Sequence, residues 1–294
     1  MTTPDHLYRF LFDRADVRGH IVRLADAYQA VITRRQYPQA VRDLVGRAMA
    51  AAALLSTSIK FRGSLSLQVQ AQGEQPGLTL LVVQVTSHGG LRALARWRGE
   101  VPAQATLEEL CPDGYLAITI DPDEGERYQG MVKLEGDSLA RVLDSYFQNS
   151  EQLPTRIWLA ADSQCAAGLL IQRLPGETAD ADAWARAEAL AETITDGELL
   201  QLNAADIIHR LYHEEDIRLF DPVPFHFECT CSRERVGEVL RSLGREEVRA
   251  VLEEQGAVEV HCDFCNEGYR FDRVDVEQIF LASDTSPEVP TTRH

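Results

Sequence analysis

Cys229-Thr230-Cys231 and Cys262-Asp263-Phe264-Cys265 place two close pairs of thiols near the end of this 294-residue chain. Thiolate sulfur is a soft donor, and four of them close a tetrahedron around one metal ion with no position left for a substrate. The chemistry expected is therefore a structural tie: one Zn2+ per chain on Cys229, Cys231, Cys262 and Cys265. Ordinary zinc ribbons have two residues between paired cysteines, whereas the first pair here has one. Cys229 and Cys231 must then chelate from extended backbone, while Cys262 and Cys265 suit a tight knuckle. Two other readings use the same residues: four buried thiols without metal, and a thiol–disulfide oxidoreductase built on Cys262 and Cys265. The latter needs a CxxC that opens a helix after a strand, and strand patterns flank this pair on both sides. His226 and His261 lie beside the pairs as candidate replacement ligands, but four sulfurs already fill the shell. His209 and His213, four apart on a helical stretch, have a spacing that can bind metal, although solvated helix histidines are commoner. Cys111 and Cys165 have no partner in sequence and read as small buried apolar residues.

The elements that position the quartet form a short module, residues 225–282. Ser232 can cap a helix running through Val236, Val239, Leu240 and Leu243 to a stop at Gly244. A second helix covers Glu246 to Gln255. Val258 to Val260 leads into the second pair and Tyr269 to Phe271 leaves it. A core this small rarely supplies more than about 3–5 kcal/mol. Structural zinc contributes about 10–16 kcal/mol in small modules, which makes metal binding and folding one event. An oxidant that consumes the thiolates removes that constraint.

Upstream, residues 1–176 alternate helix and strand patterns. Val41 to Lys60 reads as a helix, as does Ser138 to Phe147. Strands are expected at Ser64–Gln70, Leu78–Val85, Leu91–Trp97, Leu116–Asp121, Gln129–Leu134, Arg156–Ala161 and Gly168–Gln172, the first two as a hairpin. Strands joined by short turns with few helices predict an α+β fold, a large domain with a mainly antiparallel sheet and packed helices. Residues 177–224 are strongly acidic yet keep helical periodicity through Trp184, Ala187, Leu190, Ile207 and Leu211, so they read as an acidic helical linker. Helices with so much like charge need a surface to lie on. Residues 283–294 read as a disordered tail.

The net charge of -17 opposes binding to phosphate backbones. No apolar run reaches the length of a membrane span, and the first residues have no leader pattern. A cytoplasmic location follows as the expectation. Thiols stay reduced there, so a cysteine quartet is metal-binding or redox-active.

Cys229 to Val236, Leu243-Gly244-Arg245-Glu246-Glu247 and Val260 to Asn266 together resemble the heat shock protein 33 family of redox-regulated bacterial chaperones. Tyr146 to Thr155, Gln172 to Gly176 and Leu211 to Arg218 are similar to further stretches of that family. The resemblance spans essentially the whole chain, and the CxC with CxxC is its most specific part. It implies an ATP-independent holdase, not an enzyme, that binds unfolding or oxidatively damaged proteins under oxidative and heat stress. It further implies zinc on the quartet in the inactive reduced form. Oxidation would form Cys229–Cys231 and Cys262–Cys265 disulfides, release zinc, unfold the module and linker, and bring about homodimerisation. Cys111 and Cys165 lie outside the pattern. The alternatives are a zinc-ribbon module for a protein or nucleic-acid partner, and the oxidoreductase.

Overall fold

A computed structural model describes residues 5–58, 62–72, 75–176 and 180–281. In chain order the elements begin with β1 (His6–Phe12), β2 (Val17–Leu24), α1 (Asp26–Ile32) and α2 (Gln39–Ser58). Next come β3 (Gly63–Gln70), β4 (Gly77–Thr86), β5 (Gly90–Arg98), α3 (Leu107–Leu110), β6 (Tyr115–Pro122) and β7 (Tyr128–Lys133). They continue with α4 (Leu139–Tyr146), a π-helical turn (Phe147–Glu151), β8 (Thr155–Ala161) and β9 (Ala166–Arg173). Then follow α5 (Ala183–Ala191), α6 (Asp196–Gln201), α7 (Ala204–Tyr212), β10 (Ile217–Leu219), β11 (Val223–Pro224) and β12 (His226–Phe227). The last group is α8 (Arg233–Leu243), α9 (Arg245–Gln255), β13 (Val258–His261), β14 (Gly268–Phe271) and α10 (Arg273–Leu281). The chain divides into two units, residues 1–228 and 229–294.

Helix α2 organises the first unit. Ala48 through Leu55 are all buried, more than two turns without an exposed face. A helix that is apolar all round must be enclosed. It packs against β2, β8 and β9 of one sheet and β3, β4 and β5 of the other. The first sheet has the order β10-β1-β2-β9-β8 with β11 also on β1, and the second β12-β5-β4-β3-β6-β7. Every ladder among the described residues is antiparallel except β12 on β5. The α+β reading holds, with two mainly antiparallel sheets in the first unit where one was expected.

The expected helices and strands form where the pattern was clean. In β3 the side chains of Leu65, Leu67 and Val69 are buried in alternation, and the ladder to β4 runs from Ser64↔Thr86 to Gln70↔Leu80. Ser138 caps α4, its Oγ accepting the Arg141 N–H at 3.4 Å. Strands β1 and β2 were not anticipated. Arg9 breaks the apolar run of β1, and β2 is buried on both faces around Gly19, so neither alternates. Gly19 stands opposite Phe10, and a Cβ there would lie 2.0 Å from the Phe10 ring. The glycine that disguises β2 is what lets Phe10 lie flat on it.

The acidic segment has the surface it needs. Ala187, Ala191, Leu199, Ile207, Leu211 and Tyr212 of α5, α6 and α7 are buried against Phe10, Phe12, Val17, Ile21, Leu169 and Ile171 of the first sheet. The Tyr212 ring meets Phe12 edge-on at 4.9 Å between centroids. Thr195 and Glu198 form a capping box on α6, and Asn203 caps α7. Arginines offset the outward charge: Arg156 pairs with Glu188 at 2.5 Å, Arg186 with Glu215 at 2.6 Å, and Arg210 with Glu198. Residues 217–224 depart from the helical reading of 177–224, because Ile217–Leu219 and Val223–Pro224 both pair with β1. The tail read over 283–294 lies outside the described residues.

The second unit is a β13–β14 ladder with α8, α9 and α10. Its core is Val236, Leu240, Val248, Leu252, Val258, Phe271, Val276 and Phe280.

Candidate metal centre

The two cysteine pairs reach one point from different local geometries. Ser232 has extended backbone (φ -150°, ψ 163°) and caps α8 by accepting the Arg235 N–H at 3.3 Å. Cys229 and Cys231 therefore lie on chain that has not begun to coil, as the single intervening residue requires. Arg235 donates from its guanidinium to the carbonyl of Thr230 at 2.7 Å, fixing the peptide between the two sulfurs. The second pair closes the β13–β14 hairpin. Asn266 donates its N–H to Cys262 O at 2.8 Å, and the Cys262 N–H donates to Glu267 O at 2.9 Å. Asn266 has φ 61°, a left-handed conformation that asparagine tolerates.

All four Sγ atoms lie within 4.8 Å of one another. Cys229 and Cys262 are 3.7 Å apart, and Cys231 and Cys265 are 3.3 Å apart. A tetrahedral tetrathiolate with metal–sulfur bonds of about 2.3 Å has sulfur–sulfur edges of roughly 3.8 Å. The donor set fits a single closed metal site. Electrostatics points the same way. Burial, then hydrogen bonds to the other sulfurs, push the Cys265 thiol well above its usual range, so this thiol resists ionising on its own. A divalent cation reverses that balance. Among the described residues no other group of three or more histidines, cysteines or carboxylates converges in this way.

One side chain in contact with the quartet was not read from the sequence: the Tyr269 hydroxyl donates to Cys231 Sγ at 3.1 Å. The one available signal was Tyr269 sitting on the strand that leaves the knuckle. Arg233 donates to Arg270 O at 2.8 Å, pairs with Asp275 at 2.7 Å and stacks on Phe271 at 4.3 Å. It braces α8 against β14.

The other candidates disperse. His226 lies in the first unit, in β12, and the His261 ring rests near Gly268. His209 of α7 and His213, which caps its C-terminal end, are exposed with rings 5.9 Å apart, and no third ligand converges on them among the described residues. Cys111 is buried in the core around α2, and burial pushes its thiol up to about 12. Cys165 is buried under α6 and donates to Leu200 O at 3.6 Å; burial raises it too.

The chain matches the family model described as Hsp33 protein over residues 5–272. It is 47% identical over 294 residues, all of both chains, to a 33 kDa chaperonin of Nitrosococcus oceani. It is 48% identical over 290 residues, 98% of each chain, to a 33 kDa chaperonin of Methylobacillus flagellatus. The crystal structure of the Thermotoga maritima 33 kDa chaperonin (Heat shock protein 33 homolog) superposes with a TM-score of 0.79 at 22% identity, over 96% of this chain and 99% of that one. With the fold shared and near-complete matches to curated relatives, this chain belongs to the Hsp33 family.

Proposed function

We propose that the chain is an ATP-independent holdase of the cytoplasm, silent while reduced and zinc-bound, and active as a dimer once its four cysteines are oxidised. The chaperone class follows from the family and the names of its relatives. The observation that carries the regulation is the meeting of four Sγ atoms within 4.8 Å in a module whose core, among the described residues, is one cluster of eight buried apolar side chains. Zinc on those sulfurs supplies the cross-link between the stretch before α8 and the β13–β14 knuckle.

Cys229 and Cys231 are neighbours in sequence, as are Cys262 and Cys265. Each pair of zinc-bound thiolates gives up two electrons to form one S–S bond while one hydrogen peroxide takes two protons from solvent and becomes two waters; once both pairs are oxidised the zinc leaves as Zn2+. Two equivalents of peroxide thus yield two local disulfides per chain. Neither bridge ties the first pair to the second, so the module loses its main constraint. The contacts at 3.7 and 3.3 Å run across the pairs. Bridges formed there would keep the tie, so the choice of partner decides whether the module opens. Release then extends to α5, α6 and α7, whose apolar faces cover the first sheet. That face becomes available to unfolding clients.

The test is peroxide treatment of the zinc-loaded chain, followed by peptide mapping and a light-scattering assay on a heat-unfolding reporter protein. Local disulfides with suppression of aggregation only after oxidation are expected. Equal suppression by the reduced chain, or bridges across the pairs in an active protein, would contradict the proposal.

A further inference from the structure

Strand β12 occupies a sheet edge shaped to receive a chain. His226 donates its N–H to Gly89 O at 3.0 Å and Glu228 to Leu91 O at 3.0 Å, forming the parallel ladder on β5. Phe225, just before, donates its N–H to Asp5 O at 2.8 Å and buries its ring in the core around α2. Phe227 is half-buried, with the Arg34 guanidinium 4.3 Å over its ring. The slot is cut by two glycines. Gly89 has φ +86°, and a Cβ there would lie 2.2 Å from Pro224 O. A Cβ on Gly90 would lie 1.7 Å from a carboxylate oxygen of Glu228. At Gly89 the neighbouring atoms are backbone, so that glycine marks close approach of another chain segment, whereas at Gly90 they belong to the Glu228 side chain.

The edge continues beyond β12. Ala95 donates its N–H to the Tyr37 hydroxyl and accepts from the Arg35 guanidinium, each at 3.4 Å. Gly89, Leu91 and Ala95 turn their peptide groups the same way, as the two-residue repeat of a strand requires. From 89 to 95 that edge meets, among the described residues, a two-residue strand, two side chains and the packed helix α1. An edge guarded in this way is a template for strand addition.

We propose that β5 is a strand-addition site for extended segments of unfolding proteins, and that residues 226–228, led in by the buried Phe225, are its internal occupant in the resting chain. This rests on the holdase reading above and gives it a client surface. The preferred segment carries aromatic residues two apart with an acidic residue beside them. The chain's own occupant does so with Phe225, Phe227 and Glu228, and Arg34 and Arg35 stand at the edge in a chain of net charge -17. Glu228 makes the last hydrogen bond of the ladder, and Cys229 is the next residue. A short strand whose following module has unfolded becomes a fraying terminus.

The experiment uses the full chain and a fluorescein-labelled peptide spanning Asp221 to Glu228. Fluorescence anisotropy should show binding to the oxidised chain at least about tenfold tighter than to the reduced, zinc-loaded chain. A Phe225→Ala peptide should lose about tenfold. Excess peptide should displace a reporter protein, and hydrogen exchange should place new protection in residues 90–98. A Phe225→Ala chain should bind the wild-type peptide without peroxide. If that variant fails to fold, the wild-type arms decide alone. An oxidised chain that suppresses aggregation yet binds both peptides equally, or is protected elsewhere, overturns the strand-addition site and leaves the holdase reading standing. An oxidised chain that fails to suppress aggregation fails the holdase reading, while peptide binding still reports on the β5 edge.

Discussion

The first unit encloses the middle of α2 between two sheets, whereas the described part of the four-cysteine module packs one core cluster of eight apolar side chains around a single two-stranded ladder. In the first unit, stability is spread over dozens of buried side chains, and no single contact decides whether it folds. In the second, the constraint is concentrated in four sulfur atoms within 4.8 Å. Distributed burial makes a scaffold that survives chemical insult. Concentrated coordination makes a part that one kind of chemistry can undo.

The contrast can be broken most forcefully by removing metal. A zinc chelator under reducing conditions should take away about 10 kcal/mol or more of module stability. Hydrogen exchange should then become fast across residues 229–281 while α2 stays protected; a module that keeps its protection would end the comparison. The converse experiment empties a site in the scaffold. Leu54 is fully buried in α2, and Leu54→Ala should cost about 2–5 kcal/mol in denaturant unfolding of the first unit. Zinc affinity, read by chelator competition, should not move.

A third test uses pH. His20 is buried beside Arg18, with the hydroxyls of Thr57 and Ser58 each 3.2 Å from Nδ1. Burial first, then the nearby arginines, lower its pKa from 6.5 to about 3. The native state holds it neutral, so its contribution is complete above pH 6.5 and is lost as pH falls from 6.5 toward 3. The slope is about 1.4 kcal/mol per pH unit. Asp144 works in the opposite sense: burial lifts its pKa to about 6, so the native form takes up that proton more readily between about pH 4 and 6. The difference between wild type and His20→Gln isolates the histidine, and identical acid unfolding curves would refute its role.

The smallest effect concerns the helices that join the two regimes. Glu188 of α5 pairs with Arg156 of β8, which also faces Asp144 at 3.5 Å. Glu188→Gln should cost no more than about 1 kcal/mol in global stability. Amide exchange in α5 should quicken while α2 is unchanged. Unaltered exchange in α5 would mean that apolar contacts alone hold the helix down.

The quartet was legible because its cysteines come in two close pairs, a signal carried by a few adjacent letters. Strand β3 was legible for a similar reason, its alternation of Leu65, Leu67 and Val69 being local. Strands β1 and β2 were not. Arg9 interrupts one, and the other is buried on both faces, its Gly19 explained only by Phe10 on the neighbouring strand. Strand β12 leaves no periodic trace in two residues, and its place on β5 depends on glycines more than a hundred positions earlier. The acidic charge of the segment after Gly176 was plain, but not the sheet face that receives its helices. The hydrogen bond from Tyr269 to Cys231 likewise needed the hairpin to be folded first.

The central claim is that the same four sulfurs both hold the module and release it. It is tested most directly by following zinc release, with a chromogenic chelator, and suppression of reporter aggregation in one sample during peroxide titration. The account predicts that both rise together, reaching one zinc released and two disulfides formed per chain, with activity absent before zinc leaves. Full suppression of aggregation while zinc remains bound would contradict it.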